Sequence, residues 1–88
     1  MSGIIITNDV HIGKGTLINL SCTIGHDTKI KDFVEISPGT NISGNCTIGN
    51  YTIIGTNVTI LPKIKIGENV IVAAGAVVTK DIRENCMI

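Results

Sequence analysis

From Ile6 to Val78 every sixth residue is isoleucine or valine, without interruption: Ile6, Ile12, Ile18, Ile24, Ile30, Ile36, Ile42, Ile48, Ile54, Ile60, Ile66, Val72 and Val78. A second row lies two residues earlier in each hexad. It reads Ile4, Val10, Thr16, Cys22, Thr28, Val34, Thr40, Cys46, Thr52, Val58, Ile64, Val70 and Ala76, all small or β-branched. A helix would turn sixth neighbours onto different faces, whereas in a strand residues two apart share a side. Each hexad therefore predicts a short strand followed by a tight bend. Glycine follows the period residue at Gly13, Gly25, Gly49, Gly55 and Gly67. Two positions further on, Asp9, Gly15, Asp27, Gly39, Asn45, Asn57, Asn69, Gly75 and Asp81 tolerate the backbone angles that corners need.

Such a repeat predicts a parallel β-helix, in which each rung buries its inward side chains only by stacking on the next. The β-branched bias suits a parallel ladder covered on its inner side. The pattern is similar to that of hexapeptide-repeat families. That likeness implies three hexads per triangular coil of eighteen residues and a left-handed path. The expected fold is thus all-β, a left-handed parallel β-helix of hexapeptide repeats with about four triangular coils. The 88 residues allow one domain, read as residues 1–82 for the repeat and 83–88 for a C-terminal tail. At ~4.8 Å per rung the prism is about 20 Å tall. Phe33 and Tyr51 are the only aromatics, so the core depends on stacked aliphatics. A domain this small is marginal alone, which points to oligomerisation.

The formal net charge is zero, which offers no electrostatic attraction for nucleic acid or an anionic membrane. The longest apolar run, Val70 to Val78, is too short to span a bilayer, and the N-terminus lacks a signal-peptide pattern. A soluble cytoplasmic protein is expected. Cys22 and Cys46 are inward positions on different faces, because their spacing is not a whole number of coils, and Cys86 lies beyond the repeat. They read as core-filling thiols with no disulfide or metal framework. The Asn-x-Ser/Thr triplets beginning at Asn19, Asn41, Asn45, Asn50 and Asn57 follow from the corner and strand chemistry of the repeat.

An eighteen-residue coil sorts the outward strand residues into columns. Leu17, Glu35, Ile53 and Ile71 form a first face that is mostly apolar. Ile5, Thr23, Asn41, Thr59 and Val77 form a second, and His11, Lys29, Thr47 and Lys65 a wholly polar third. The corner of Lys14, Asp32, Asn50 and Glu68 is polar, and that of Leu20, Pro38, Thr56 and Ala74 is small or apolar. One greasy side invites a neighbour, and closed threefold symmetry would cover it in every copy. A homotrimer is expected. The remaining corner carries Asn8, His26, Gly44, Pro62 and Lys80. On spacing alone His26 reads as a solvated corner residue, and His11 as surface.

The stretch INLSCTIGHDTKIKDFVEISPGTNISGNCTIG, followed by YTIIGTNVTILPKIKIGENVIVAAGAVVTKDI, resembles the sugar acetyltransferases of the sialic-acid O-acetyltransferase and UDP-4-amino-sugar N-acetyltransferase group. The features carrying the resemblance are Asn19, His26-Asp27, the ISPG of Ile36 to Gly39, Gly44-Asn45 and the AGAVV-x-KDI ending. It implies that His26 is the general base, taking a proton from an acceptor hydroxyl or amine as that group attacks the thioester of acetyl-CoA. Asp27 matches the acidic neighbour that raises the histidine's basicity, and Asn19 a position beside the acceptor. Gly44 leaves room for the acetyl group or an oxyanion donor. Thr56 and Ala74 match positions that contact acetyl-CoA, and Lys80 is placed to pair with a CoA phosphate. The implied site lies between subunits of a homotrimer, with acetyl-CoA as co-substrate, a sugar or nucleotide sugar as acceptor, and no metal.

Two departures qualify the resemblance. Nine residues after the catalytic histidine the amino-sugar enzymes usually carry a second histidine; here Glu35 stands on the acceptor side, and a carboxylate cannot donate as imidazole does. The family's N-terminal α/β domain and the segment that ends its helix have no counterpart here, so the resemblance covers the β-helix part alone. The competing readings are a non-catalytic trimeric scaffold or CoA-binding fragment, and a metal-dependent hydratase of the γ-carbonic-anhydrase type. The hydratase needs three histidine ligands, and the chain has His11 and His26 only.

Overall fold

The computed structural model describes residues 3–88. Each hexad forms a two-residue strand, and the strands collect into three parallel sheets, one per face. The second face stacks β1 (Ile5–Ile6), β4 (Thr23–Ile24), β7 (Asn41–Ile42), β10 (Thr59–Ile60) and β13 (Val77–Val78). The third stacks β2 (His11–Ile12), β5 (Lys29–Ile30), β8 (Thr47–Ile48) and β11 (Lys65–Ile66). The first stacks β3 (Leu17–Ile18), β6 (Glu35–Ile36), β9 (Ile53–Ile54) and β12 (Ile71–Val72). Register partners differ by one coil throughout, as in Thr23↔Asn41, Lys29↔Thr47 and Glu35↔Ile53. The architecture is a left-handed parallel β-helix of about four turns.

The second residue of each strand points inward. Ile24, Ile36, Ile48, Ile54 and Ile60 are fully enclosed, and each such side chain contributes roughly 1.5–3 kcal/mol. At the N-terminal end the inward Ile6 and Ile12 stay 47% and 40% exposed, since among the described residues no coil lies beneath them. Burial is a property of stacking, and the first rung is stacked on one side only.

The corners turn through a left-handed residue every sixth position from Gly3 to Gly75. Asp9, Asp27, Asn45, Asn57 and Asn69 take this conformation as expected, but so do Ser21, Phe33, Tyr51 and Lys63, where no turn-former signals it. The stacked ladder imposes the angle whatever the side chain. Phe33 and Tyr51 accordingly lie outside the core. Their rings stand on one corner, 46% and 60% exposed, stacked with centroids 5.5 Å apart. Gly15 beneath them is required: a Cβ there would come within 2.5 Å of the Phe33 ring.

The row two residues before the period residue does more than fill space. Thr28 Oγ1 donates to the Ser43 carbonyl at 3.2 Å, Thr40 to Gly55 at 3.0 Å and Thr52 to Gly67 at 2.8 Å. Cys22 and Cys46 occupy the same row, and their thiols point to the equivalent carbonyls of Ser37 at 3.3 Å and Leu61 at 3.2 Å. Corner carbonyls that the ladder leaves free are thereby satisfied inside the prism. All three cysteines are free thiols, with Cys22 and Cys46 buried and Cys86 half-buried. Burial pushes the Cys46 thiol above its ordinary range, away from the reactive thiolate. Iodoacetamide at mildly alkaline pH is therefore expected to alkylate Cys86 in the native chain and to reach Cys22 and Cys46 only on unfolding, as read by peptide mass spectrometry. Labelling of Cys46 at the rate of Cys86 would contradict this packing.

Beyond Val78 the register changes. Asp81 does not turn a corner; its Oδ1 accepts the Lys65 backbone N–H at 2.8 Å. The coil closes two residues early, so that Ile82 pairs with Ile66 and Met87 with Ile71. Residues 83–88 remain hydrogen-bonded to the coil below, through Ile71 N–H to Cys86 and Ala73 N–H to Ile88. No helix of the described residues is long and apolar enough to cross a membrane.

Candidate active site

His26 and Asp27 form the corner that leads from β4 to β5. The ladder holds this corner on both sides: Asp27 N–H donates to the Asn8 carbonyl at 3.1 Å, and Asn45 N–H to the His26 carbonyl at 2.8 Å. The left-handed turn at Asp27, φ 58°, brings its carboxylate back to its neighbour, and Oδ2 lies 3.1 Å from His26 Nδ1. A carboxylate accepts, so Nδ1 is the ring nitrogen that donates to Asp27, and Nε2 has no hydrogen-bond partner among the described residues. The contact fixes the orientation of the imidazole at this corner.

Gly44 occupies the same corner one coil on. A Cβ at Gly44 would lie 2.9 Å from His26 Nε2 and 3.0 Å from Cε1, so the imidazole reaches over the glycine into space that any other residue would take. The resemblance implies that this space serves the acetyl group or an oxyanion donor; in the single chain the ring itself borders it. Gly25 is needed for a different reason. Its Cβ would meet the Gly44 backbone nitrogen at 2.5 Å, so the two coils approach closely here.

The other candidates lie apart. Lys80 is on the His26 corner, two coils beyond Gly44, and is exposed. Thr56 and Ala74 stack on the opposite edge of the second face, both exposed, so that face separates them from His26 within one chain. Asn19, at the same edge, spends its side-chain N–H on the Ile36 carbonyl at 2.9 Å, which is a structural bond. Glu35 points outward from β6 between Leu17 and Ile53. The structure thus joins His26, Asp27 and Gly44 and distributes Asn19, Glu35, Thr56, Ala74 and Lys80 along other edges.

The site is open in the single protomer. The His26 and Asp27 side chains are 63% and 54% exposed. A cavity of about 350 Å³ lies elsewhere, lined by Gly67, Glu68 and Glu84 on the third face's far corner. No group of three or more His, Cys, Asp or Glu is gathered as a metal site among the described residues.

Solved structures with this fold include enzymes of one chemistry. The acetyltransferase domain of PglB from Neisseria gonorrhoeae is 28% identical over 97% of this chain and 50% of that one, with a TM-score of 0.87. The same domain in complex with acetyl coenzyme A is 29% identical over 99% and 48%, TM-score 0.82. Serine acetyltransferase from Neisseria gonorrhoeae is 25% identical over 97% and 36%, TM-score 0.90. WeeI from Acinetobacter baumannii is 28% identical over 98% and 51%, TM-score 0.81. The chain spans about half the length of the PglB acetyltransferase domain and of WeeI and about a third of the serine enzyme. No curated protein matches it. Residues 27–62 and 45–80 match the profile described as bacterial transferase hexapeptide (six repeats), and the chain belongs to that family.

Proposed function

We propose that the chain is the β-helical part of an acetyl-CoA-dependent acetyltransferase acting on a hydroxyl or amino group of a sugar or nucleotide sugar. The observation that carries this reading is the His26 imidazole, held at Nδ1 by Asp27 with Nε2 free above Gly44. His26 takes the acceptor's proton at Nε2 as the oxygen or nitrogen attacks the thioester carbonyl. The new C–O or C–N bond forms, the C–S bond breaks, and the departing thiolate takes the proton from the imidazolium to leave as CoA. Asp27 keeps the ring oriented and stabilises its cation. The likeness to PglB, solved in complex with acetyl coenzyme A, supports the choice of acetyl donor.

The same reading makes the active unit a homotrimer. The first face, with Leu17, Ile53 and Ile71 57%, 41% and 42% exposed, packs on a neighbouring copy and brings its apolar corner against the partner's His26 corner. Thr56 and Ala74 then line the groove for the pantetheine arm, Gly44 its reacting end, and Lys80 stands further along for a phosphate. Asn19 and Glu35 lie on the acceptor side. The cytoplasm both supplies acetyl-CoA and keeps the thiols reduced. Light scattering is expected to give three copies of the 9.3 kDa chain, and Ile53→Lys to shift the mass toward the monomer. A wild-type monomer at micromolar concentration overturns the assembly. The activity itself is tested by release of free CoA from acetyl-CoA with panels of amino- and hydroxy-sugars; no release with any acceptor overturns the reading.

A further inference from the structure

The edge that carries His26 is polar or glycine in every rung but one. Gly25-His26-Asp27 and Ser43-Gly44-Asn45 are followed one coil on by Leu61-Pro62-Lys63, after which Thr79 and Lys80 return to polar side chains. Leu61 is 38% exposed, and Pro62 is exposed beside it. This apolar step takes no part in the core, and it falls in the rung next to Gly44.

The step is firmly held. Leu61 N–H donates to the Val78 carbonyl at 3.1 Å, and the Cys46 thiol lies 3.2 Å from the Leu61 carbonyl. Lys63 N–H donates to the Gly44 carbonyl at 3.0 Å, which seats the Pro62 corner over the glycine. The pyrrolidine ring locks its own φ and removes the backbone N–H that Asn8, His26 and Lys80 carry at the same position. The surface above Gly44 is thus rigid, uncharged and without a donor at its apex. The imidazole comes from below: the place a Cβ of Gly44 would take lies 2.9 Å from His26 Nε2. Rungs are about 4.8 Å apart, so the gap that Gly44 leaves between ring and Pro62 is one small group deep.

We propose that Leu61 and Pro62 are the acyl wall of the site: they receive the methyl of the group being transferred and exclude longer acyl chains, which makes the chain selective for acetyl among acyl-CoA donors. This deepens the acetyl-transfer reading and rests on it. A methyl gains by covering an apolar surface. An added methylene has to push against a rung held by backbone bonds and a ring with a fixed φ, and in such a pocket one methylene discriminates by about 10–200-fold. Wall and base belong to one chain, so the selectivity does not depend on how subunits are arranged.

Transfer from acetyl-, propionyl- and butyryl-CoA to one acceptor tests the wall. Wild type is expected to favour acetyl over butyryl by about a hundredfold in kcat/KM. Leu61→Ala and Pro62→Gly should each cut that preference about tenfold, with the KM for the acceptor within about twofold of wild type. Leu61→Met conserves volume and should keep the preference. A merely structural role would slow all donors alike, so a donor ratio unchanged by both Leu61→Ala and Pro62→Gly overturns the inference. If wild type transfers no acyl group from any donor, the acetyl-transfer reading falls, and calorimetric titration with acetyl-CoA and butyryl-CoA still judges the wall. Wild type should then bind acetyl-CoA about tenfold more tightly than butyryl-CoA, and Pro62→Gly should bind the two about equally. Equal affinities in wild type, or no binding of either thioester, overturn the wall.

Discussion

Replacement of His26 by alanine is expected to lower CoA release by about 10²–10⁴-fold, the usual worth of a positioned general base. The fold should not respond. The side chain is 63% exposed, and the bonds that hold the corner are backbone bonds of Asp27 to Asn8 and Asn45 to His26, which alanine retains. Thermal unfolding and binding of acetyl-CoA therefore separate a lost base from a lost structure. His11→Ala serves as the control, because His11 projects from β2 on the third face, away from the corner. A His26→Ala chain that keeps turnover within tenfold of wild type would place the proton acceptor elsewhere.

Gly44→Ala is expected to cost roughly a hundredfold in turnover without weakening the fold. Gly44 is not among the left-handed residues, so alanine adopts its backbone without strain, and the loss of unfolded-state freedom adds about 0.4–1 kcal/mol of stability. The new methyl, however, would sit 2.9 Å from Nε2 and 3.0 Å from Cε1 of His26. The ring has to swing away, and a displacement near 1 Å at a reacting group costs on the order of 10²-fold. The variant thus becomes as stable as wild type or more so, yet slow. Wild-type turnover in Gly44→Ala would show that the imidazole works from a different rotamer. The neighbouring Gly25→Ala differs: its methyl would strike the backbone of Ser43 and Gly44 at 2.5–2.9 Å, so stability and activity should fall together.

These expectations start from positions that simple counting already groups. Coil length is constant from Ile6 to Val78, so adding eighteen to a residue number finds its neighbour in space. That is why the columns of Leu17, Ile5 and His11, the shared corner of His26 and Gly44, and the separation of Cys22 from Cys46 were legible before any coordinates. Counting fails where the ladder overrides residue chemistry or loses its period. Phe33, Tyr51 and Lys63 turn corners that their side chains do not favour, and the two-residue shortening at Asp81 shows in the hydrophobic rows only as the break of the sixfold row at Glu84, which does not say how the coil closes. The thiols of Cys22 and Cys46 read as filler, and their directed contacts to Ser37 and Leu61 emerge only from the stacked geometry.

The repeat alone therefore dictates which residues face in, which share an edge and which chemistry stands at the His26 corner, because in a solenoid each rung touches only the next at fixed spacing. The direction of the imidazole was decided by the folded chain. It depends on the left-handed turn that returns Asp27 to Nδ1 and on the space above Gly44, both set by coils eighteen residues apart in sequence. Charge has no period of its own, and its pattern around the prism follows from closing each coil onto three faces.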